Sequence, residues 1–344
     1  MKRKLLLIVC IVTALTLVGT AVACTNATSE PKTEYLYVNT DNPPLDATSA
    51  TYADVYNAVS ETVVQIQATS QSAGVTSVSA GSGVIIQSEG IIVTNHHVIS
   101  GANEVVAILS DGTQKEAQVI GSDQKSDLAV LRIEASGLPY AVFGSSSSLQ
   151  VGQQVLAIGN PLGTLGGSAS EGIISAKERT IEVEGIRMEL LQTTAAINKG
   201  NSGGGLFDMS GRLTGIVNAK SSGTGIEGIG FAIPSDLAMP VIESLLEQGY
   251  VSGRPSLGVT VQFTRYTPMT VLPLVVAVNQ SQTSGLQVGD YIESIDGNTF
   301  SDASSLQGYL LSEYEAGDTC TVTVLRNDQR QTLQVTLIDA HENA

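Results

Sequence analysis

Ala195-Ala196-Ile197-Asn198-Lys199-Gly200-Asn201-Ser202-Gly203-Gly204 places one serine among three glycines. Residues with so little helix or strand preference belong to an exposed, close-turning backbone. Such a loop can present a hydroxyl as a nucleophile and aim backbone N–H groups at a developing oxyanion. What the serine belongs to depends on the order of its partners along the chain.

Gly200-x-Ser202-x-Gly204 satisfies the G-x-S-x-G turn of α/β-hydrolases, where an acid and then a histidine follow the serine. Only His341 follows Ser202, in a polar tail that reads as solvated. The order histidine, aspartate, serine is the chymotrypsin order, and this chain supplies it. His97 lies in Ile91-Ile92-Val93-Thr94-Asn95-His96-His97-Val98, and Asp127 in Ser126-Asp127-Leu128-Ala129-Val130-Leu131. With three histidines in 344 residues, two of them adjacent, the base is closely constrained. Neighbours on a strand point to opposite faces, so His96 and His97 cannot both face Ser202. His97 takes the base position, and His96 reads as a surface or interbarrel residue. Asp111 and Asp123 are rivals to Asp127, but both sit in turn-like surroundings where aspartate is common. The apolar run after Asp127 carries it to a partly buried place where a carboxylate needs a partner.

The length of 344 residues gives room for one large unit and one small domain. A formal charge of −16 leaves no basic stripe to neutralise phosphates, which argues against nucleic acid. Cys10, Cys24 and Cys320 stand in dissimilar segments and form no disulfide framework, and no Cys/His cluster offers a metal site. No cofactor is expected. Lys2, Arg3 and Lys4 precede an uncharged run from Leu5 to Ala23, an export or anchoring signal. Three outcomes stay open: cleavage after Ala21-Val22-Ala23, lipidation of Cys24, or an uncleaved anchor. Cys24 follows a segment resembling a bacterial lipobox, although Ala21 stands where Leu is usual. All three put the folded part outside the cytoplasm, tethered to the membrane in two of them. Residues 1–23 are thus signal or anchor, and 24–48, rich in Thr, Asn, Asp, Glu and Pro, a solvated tether.

Tyr52 to Val59 reads as a short helix. From Thr62 to Ala232 short β-branched runs alternate with Gly, Ser, Asn and Asp clusters, the pattern of an all-β barrel or sandwich. Ser235 to Gln248 reads as a helix capped by Ser235 and stopped by Gly249, with Pro240 as the alternative first turn of a shorter helix. Val251 to Pro255 is the interdomain linker. The remainder alternates strands with one helix near Ser304–Leu311, an α+β pattern.

These segments together resemble the HtrA/DegP family of trypsin-like serine proteases. The family carries a T-N-x-H-V box, a D-L-A-V box and an A-A-I-N-x-G-N-S-G-G box at similar spacing. Gly81-Ser82-Gly83-Val84-Ile85-Ile86, Ile158-Gly159-Asn160-Pro161-Leu162-Gly163 and Gly228 to Ser235 also match. Ser284-Gly285-Leu286-Gln287-Val288-Gly289-Asp290-Tyr291-Ile292 is similar to a segment of the family's PDZ domain. The resemblance implies a mainly β fold: a double β-barrel protease domain over 49–250, then a small α+β PDZ domain over 254–340. It implies Ser202 as nucleophile, His97 as base, Asp127 as its orienting acid, and an oxyanion hole from the N–H groups of Gly200 and Ser202. A peptide flip at Gly200 would separate resting from active states.

Ile197 is expected to line the substrate pocket, with the Val217–Lys220 strand opposite and the stem of Lys220 in its wall. Small or medium aliphatic side chains are favoured there. Leu257 and Gly258, in Ser256-Leu257-Gly258-Val259, are the candidate donors of a carboxylate-binding loop, although an aromatic is common where Ser256 stands. Gly285 to Asp290 reads as structural. Thr264 to Pro273 reads as irregular. Thr194 replaces a usual Asp, and Gly205 a frequent Pro, which would loosen the serine loop. The short connection from Ala68 to Gly81 favours a homotrimer over a larger cage, with Tyr52 or Tyr56 either building it or packing on their own domain. The expected partners are unfolded proteins and, at the PDZ domain, C-terminal peptides. The expected function is an envelope protease of damaged proteins. The alternatives are a regulatory protease with one membrane-associated target and a chaperone-like holdase.

Overall fold

The computed structural model describes residues 44–72, 74–160, 167–183, 186–198, 200–219, 228–279 and 285–343. The signal segment, Cys24, Lys199 and Lys220 lie outside the described residues.

Helix α1 (Tyr52–Val59) opens on a capping box, in which Thr51 and Asp54 satisfy each other's backbone N–H groups. Six strands follow: β1 (Val63–Ser72), β2 (Val75–Gln87), β3 (Ile91–Thr94), β4 (Glu104–Ile108), β5 (Gln114–Asp123) and β6 (Leu128–Ile133). They close a barrel in the order β1-β2-β3-β6-β5-β4. Six more, β7 (Gln154–Gly159), β8 (Ser168–Val183), β9 (Ile186–Thr193), β10 (Gly205–Asp208), β11 (Leu213–Val217) and β12 (Gly230–Pro234), close a second barrel. Its order, β7-β8-β9-β12-β11-β10, repeats the first.

The continuous apolar runs have a physical reason. In β3 and at Leu128 to Leu131 of β6, every residue is buried. One face fills the first barrel, where Ile92, Ala129 and Leu131 meet Ile66 and Ile85. The other face, with Ile91, Val93, Leu128 and Val130, joins Ile158, Phe207 and Ile216 of the second barrel. Strands covered on both faces lose the polar alternation of a one-sided sheet.

Helix α2 is a single turn (His96–Ile99), and α3 runs from Ser235 to Gln248, burying Ala238, Met239, Ile242 and Leu245. Leu237 is largely exposed, and Pro240 lies inside the helix instead of starting it. The N-cap is Pro234, not Ser235. Ser235 is drawn inward, where its hydroxyl donates to Gly144 O at 2.6 Å and accepts from Ser146 N at 3.0 Å. Gly249 ends the helix at a φ of 82°.

The carboxyl-terminal domain has a two-stranded piece, β13 (Pro255–Ser256) with β19 (Ile338–Asp339), and a five-stranded sheet. The sheet contains β14 (Val259–Thr267), β15 (Thr270–Val278), β16 (Tyr291–Ile295), β17 (Thr319–Arg326) and β18 (Gln329–Thr336), in that order, and α4 (Ala303–Glu313) precedes β17. Thr264 to Pro273 is not irregular: it is the β14–β15 hairpin, paired out to Thr267↔Thr270. Likewise, the Ala68 to Gly81 connection is strand, with β1 and β2 paired out to Ser72↔Val75. Asp290 is fully buried and held by both nitrogens of the Arg326 fork, at 2.7 and 2.8 Å, so the Gly285–Asp290 turn is structural. Cys320 is a buried free cysteine, and burial pushes its thiol up to about 11.

The linker is tied to both domains. Arg254 makes a two-pronged contact with buried Asp123 at 2.6 and 2.7 Å, and Gly253 N–H donates to Asp339 at 2.6 Å. Leu311 of α4 enters the same apolar cluster as Ile186 and Met188 of β9.

Gly205 is not a source of loop mobility, because it pairs with Ile216 and Ile158 as the first residue of β10. A Cβ there would lie 2.4 Å from the ring of Phe207, which is fully buried. Gly205→Ala should therefore destabilise the fold by about 1–3 kcal/mol, as overpacking does. Thermal unfolding should show a lower midpoint, with Gly205→Ala plus Phe207→Leu recovering part of the loss. An unchanged midpoint for the single variant would show that the ring yields freely.

Candidate active site

The first barrel supplies two of the expected residues. The chain leaves β3 at Thr94 and turns into α2, so His96 and His97 diverge on a helical turn and not on a strand. His97 lies 2.7 Å through Nδ1 from Asp127 Oδ2, and 3.0 Å through Nε2 from Ser202 Oγ. A carboxylate only accepts, so Nδ1 carries the proton and Nε2 is left as acceptor for the serine hydroxyl.

Asp127 sits between β5 and β6 at a φ of 54°, a left-handed conformation that aspartate tolerates better than most residues. Its carboxylate also accepts from His97 N at 2.9 Å and from Asn218 Nδ2 at 2.9 Å. Its backbone oxygen takes His96 N and Asn95 Nδ2. The rivals are occupied elsewhere. Asp123 is held by Arg254 and Ser126, and Asp111 accepts from Thr113 N in an exposed turn.

Ser202 comes from the second barrel, between β9 and β10, and its loop can be followed peptide by peptide. Gly200 O accepts from Ser82 Oγ at 2.7 Å, and Asn201 N donates to Asn198 O at 3.0 Å. Asn201 O accepts from Gly204 N at 2.9 Å. Ser202 O accepts from Ser82 N at 2.7 Å, and Gly203 N donates to Val217 O at 2.9 Å. Among the described residues, the N–H groups of Gly200 and Ser202 are left without a protein acceptor. Gly203 must be glycine: its φ is 83°, and a Cβ would lie 2.2 Å from Ser82 O.

Ile197 is half-buried against Gly230 and packs on Ala195, Val217 and Ala232. Thr194 does what its hydroxyl allows, accepting from Ile173 N at 3.0 Å.

The other histidines meet each other's surroundings. His96 Nδ1 is 3.2 Å from Ser122 Oγ, at a cavity of about 260 Å³ that also touches Asp123, Arg254 and His341. His341 is not a solvated tail residue: it stacks on Tyr250 at 4.2 Å, with Nδ1 3.0 Å from Asp339 Oδ1.

In the carboxyl-terminal domain, β14 is an edge strand beside α4. Leu257, Val259, Val261, Leu306 and Leu310 line a groove of about 300 Å³. Leu257 is buried, but Gly258 departs from expectation, because its N–H donates to Ser256 Oγ at 3.1 Å.

Sequence reasoning missed Asn218, Asn95 and Ser82 around the triad, and Arg254 on the linker. Ser82 and Asn95 carried a signal, as the centre of the matching Gly81-Ser82-Gly83 segment and as the asparagine of the T-N-x-H-V box.

Residues 81–216 match the family described as trypsin-like peptidase domain, and residues 255–337 the PDZ domain. Serine protease Do-like HtrB of Bacillus subtilis (strain 168) is 36% identical over 272 residues, covering 72% of this chain and 59% of its own length. A probable periplasmic serine endoprotease DegP-like of Pseudomonas putida (strain W619) is 39% identical over 254 residues, 70% of this chain and 52% of its own. The chain thus spans between half and three-fifths of these relatives. Among solved structures, the HtrA-type protease AlgW with decapeptide aligns at a TM-score of 0.54 and 34% identity, over 84% of this chain and 98% of that one. The serine endoprotease from Yersinia pestis aligns at 0.53 and 34%, with the same coverage of each. Two barrels of one topology, a peptidase signature and a PDZ signature in that order, and relatives of one kind lead to one conclusion: the chain belongs to the HtrA/DegP family of trypsin-like serine proteases.

Proposed function

We propose that the chain is an extracytoplasmic serine endopeptidase that cleaves unfolded or damaged proteins in the cell envelope. The observation that carries this is the continuous relay from Asp127 through His97 to Ser202, with distances of 2.7 and 3.0 Å. Ser202 Oγ attacks the peptide carbonyl carbon while His97 Nε2 takes its proton. The carbonyl oxygen becomes an oxyanion, received by the N–H groups of Gly200 and Ser202. His97 then gives the proton to the leaving amine, and water reverses the sequence on the acyl-enzyme. Asp127 keeps the imidazole in the one tautomer that works. Ile197 on Gly230 makes a shallow apolar wall, which favours small aliphatic side chains before the scissile bond.

The reading divides the chain into a catalytic domain over 49–250 and a PDZ domain over 254–340. The apolar groove beside edge strand β14 suits an extended peptide with an apolar C-terminal residue. Membrane attachment through Cys24 or the N-terminal anchor, and a homotrimer, complete the proposal on family resemblance. In the chain itself Tyr52 and Tyr56 pack on their own core, with hydroxyls 3.5 Å from Gly172 O and Gly167 O. Intact mass of the mature N-terminus and sedimentation of the full chain test these two points.

Hydrolysis of fluorescently labelled casein by the full chain should vanish in Ser202→Ala, and equal cleavage by both would sink the catalytic assignment. Asp127→Asn should lower kcat on the order of 10⁴-fold, since an amide presents the imidazole with the wrong partner. A drop under tenfold would leave Asp127 outside the triad. At the PDZ domain, Ser256→Ala releases the Gly258 N–H. It should tighten binding of a peptide ending in a free Val carboxylate several-fold, in line with a net hydrogen bond of about 0.5–1.5 kcal/mol. The amidated peptide should not gain, and equal gain by both would refute carboxylate capture there.

A further inference from the structure

Ser82 is fully buried, and it makes four hydrogen bonds that join three segments. Its hydroxyl donates to Gly200 O at 2.7 Å and accepts from Asn160 N at 2.7 Å. Its N–H donates to Ser202 O at 2.7 Å, and its C=O accepts from Thr94 Oγ1 at 2.6 Å. A small hydroxyl on β2 of the first barrel therefore grips the nucleophile loop of the second barrel on both sides of Asn201. It also grips the end of β7.

We propose that Ser82 is the positioning residue of the oxyanion hole: it fixes the Gly200–Asn201 peptide plane, the rigid unit that lies between the two unengaged N–H groups. This rests on the serine-protease reading above. A peptide unit is planar, with its C=O and N–H pointing opposite ways. The Gly200–Asn201 unit is pinned at both ends, its C=O by Ser82 Oγ and its N–H by Asn198 O. Ser202 N–H belongs to the next unit, whose C=O is held by Gly204 N. The Ser202–Gly203 unit beyond it is pinned by Ser82 N and Val217 O. Gly200 itself, at a φ of 99°, offers little resistance to rotation. With no Cβ to hold it in place, the residue takes its anchor from its carbonyl, and the group that holds that carbonyl is the Ser82 hydroxyl. Ser82 touches neither substrate nor the reacting atoms.

A serine that merely stapled the barrels together would affect stability. One that sets the hole must affect the transition state more than the ground state. The test uses the full chain as wild type, Ser82→Ala and Ser82→Cys, with labelled casein, a peptide boronic acid and thermal unfolding. A boronate forms a tetrahedral adduct on the serine, so its affinity reports on the hole. Ser82→Ala should lower kcat on the order of 10²-fold, the usual effect of losing one oxyanion donor. KM should stay within about threefold of wild type, a change well below the effect on kcat. Boronate affinity should fall in parallel with kcat/KM, and the pH midpoint of kcat/KM should not move. Ser82→Cys, which keeps the shape and a weak donor, should lie between the two, and it decides the matter if Ser82→Ala fails to fold. A variant that melts earlier but keeps wild-type kcat and boronate affinity would overturn the proposal. So would a loss of rate with a displaced pH midpoint, which would place Ser82 behind His97. Fluorophosphonate labelling of wild-type Ser202 separates the two levels. No labelling would defeat the serine mechanism itself, whereas labelled wild type with an undiminished Ser82→Ala would defeat only the role of Ser82.

Discussion

A carboxylate between two barrels is the constraint on which this molecule turns. Asp127 is almost completely buried, and an isolated charge there would cost far more than a domain's net stability. Three donors meet it: the backbone and ring N–H groups of His97, and the side chain of Asn218. Satisfying Asp127 therefore fixes the turn after β3, the turn before β6 and the end of β11 at once. The histidine has no freedom left to choose a tautomer. Its remaining nitrogen faces Ser202 because the carboxylate has claimed the other.

The same turn connects the candidate site to the carboxyl-terminal domain. Asp123 and Asp127 are four residues apart, and the first is gripped by Arg254 of the linker as the second is gripped by His97. Ser126 binds back to Asp123 through both its N–H and its hydroxyl, which stiffens the intervening chain. A buried pair of this kind is poor evidence for stability in itself, but removing one partner leaves an uncompensated charge. With Leu311 in the apolar cluster and His341 stacked on Tyr250, the PDZ domain rests on the protease through three kinds of contact.

What was legible in the sequence was what rarity and periodicity carry. Three histidines and a fixed order of boxes singled out His97, Asp127 and Ser202, which the fold brings within hydrogen-bond distance, and β-branched runs gave most of the barrel strands. The polar contacts themselves were not legible, because Ser82, Asn218 and Arg254 reach across 118, 91 and 131 residues to Gly200, Asp127 and Asp123. A lone polar residue has no pattern to announce such a partner. The β14–β15 hairpin was missed for the opposite reason. Its Thr, Arg, Tyr, Pro and Met residues break the expected alternation, because bulges at Val261 and near Tyr266 shift the register. His96 was placed by strand alternation, yet β3 ends two residues earlier, so a helical turn separates the two rings.

The distribution of hydrogen bonds in the nucleophile loop bears on whether the chain holds proteins or cuts them. A loop evolved only to expose an adhesive surface would gain from satisfying all of its backbone groups, since each unpaired one away from water costs about 1–3 kcal/mol. Here five groups between Gly200 and Gly203 are paired, through partners drawn from both barrels. The N–H groups of Gly200 and Ser202 are not, and Ser202 also carries the hydroxyl facing His97. Leaving those two N–H groups open beside an aligned nucleophile and base is of use to a reaction that generates an oxyanion, and of none to a surface that only binds.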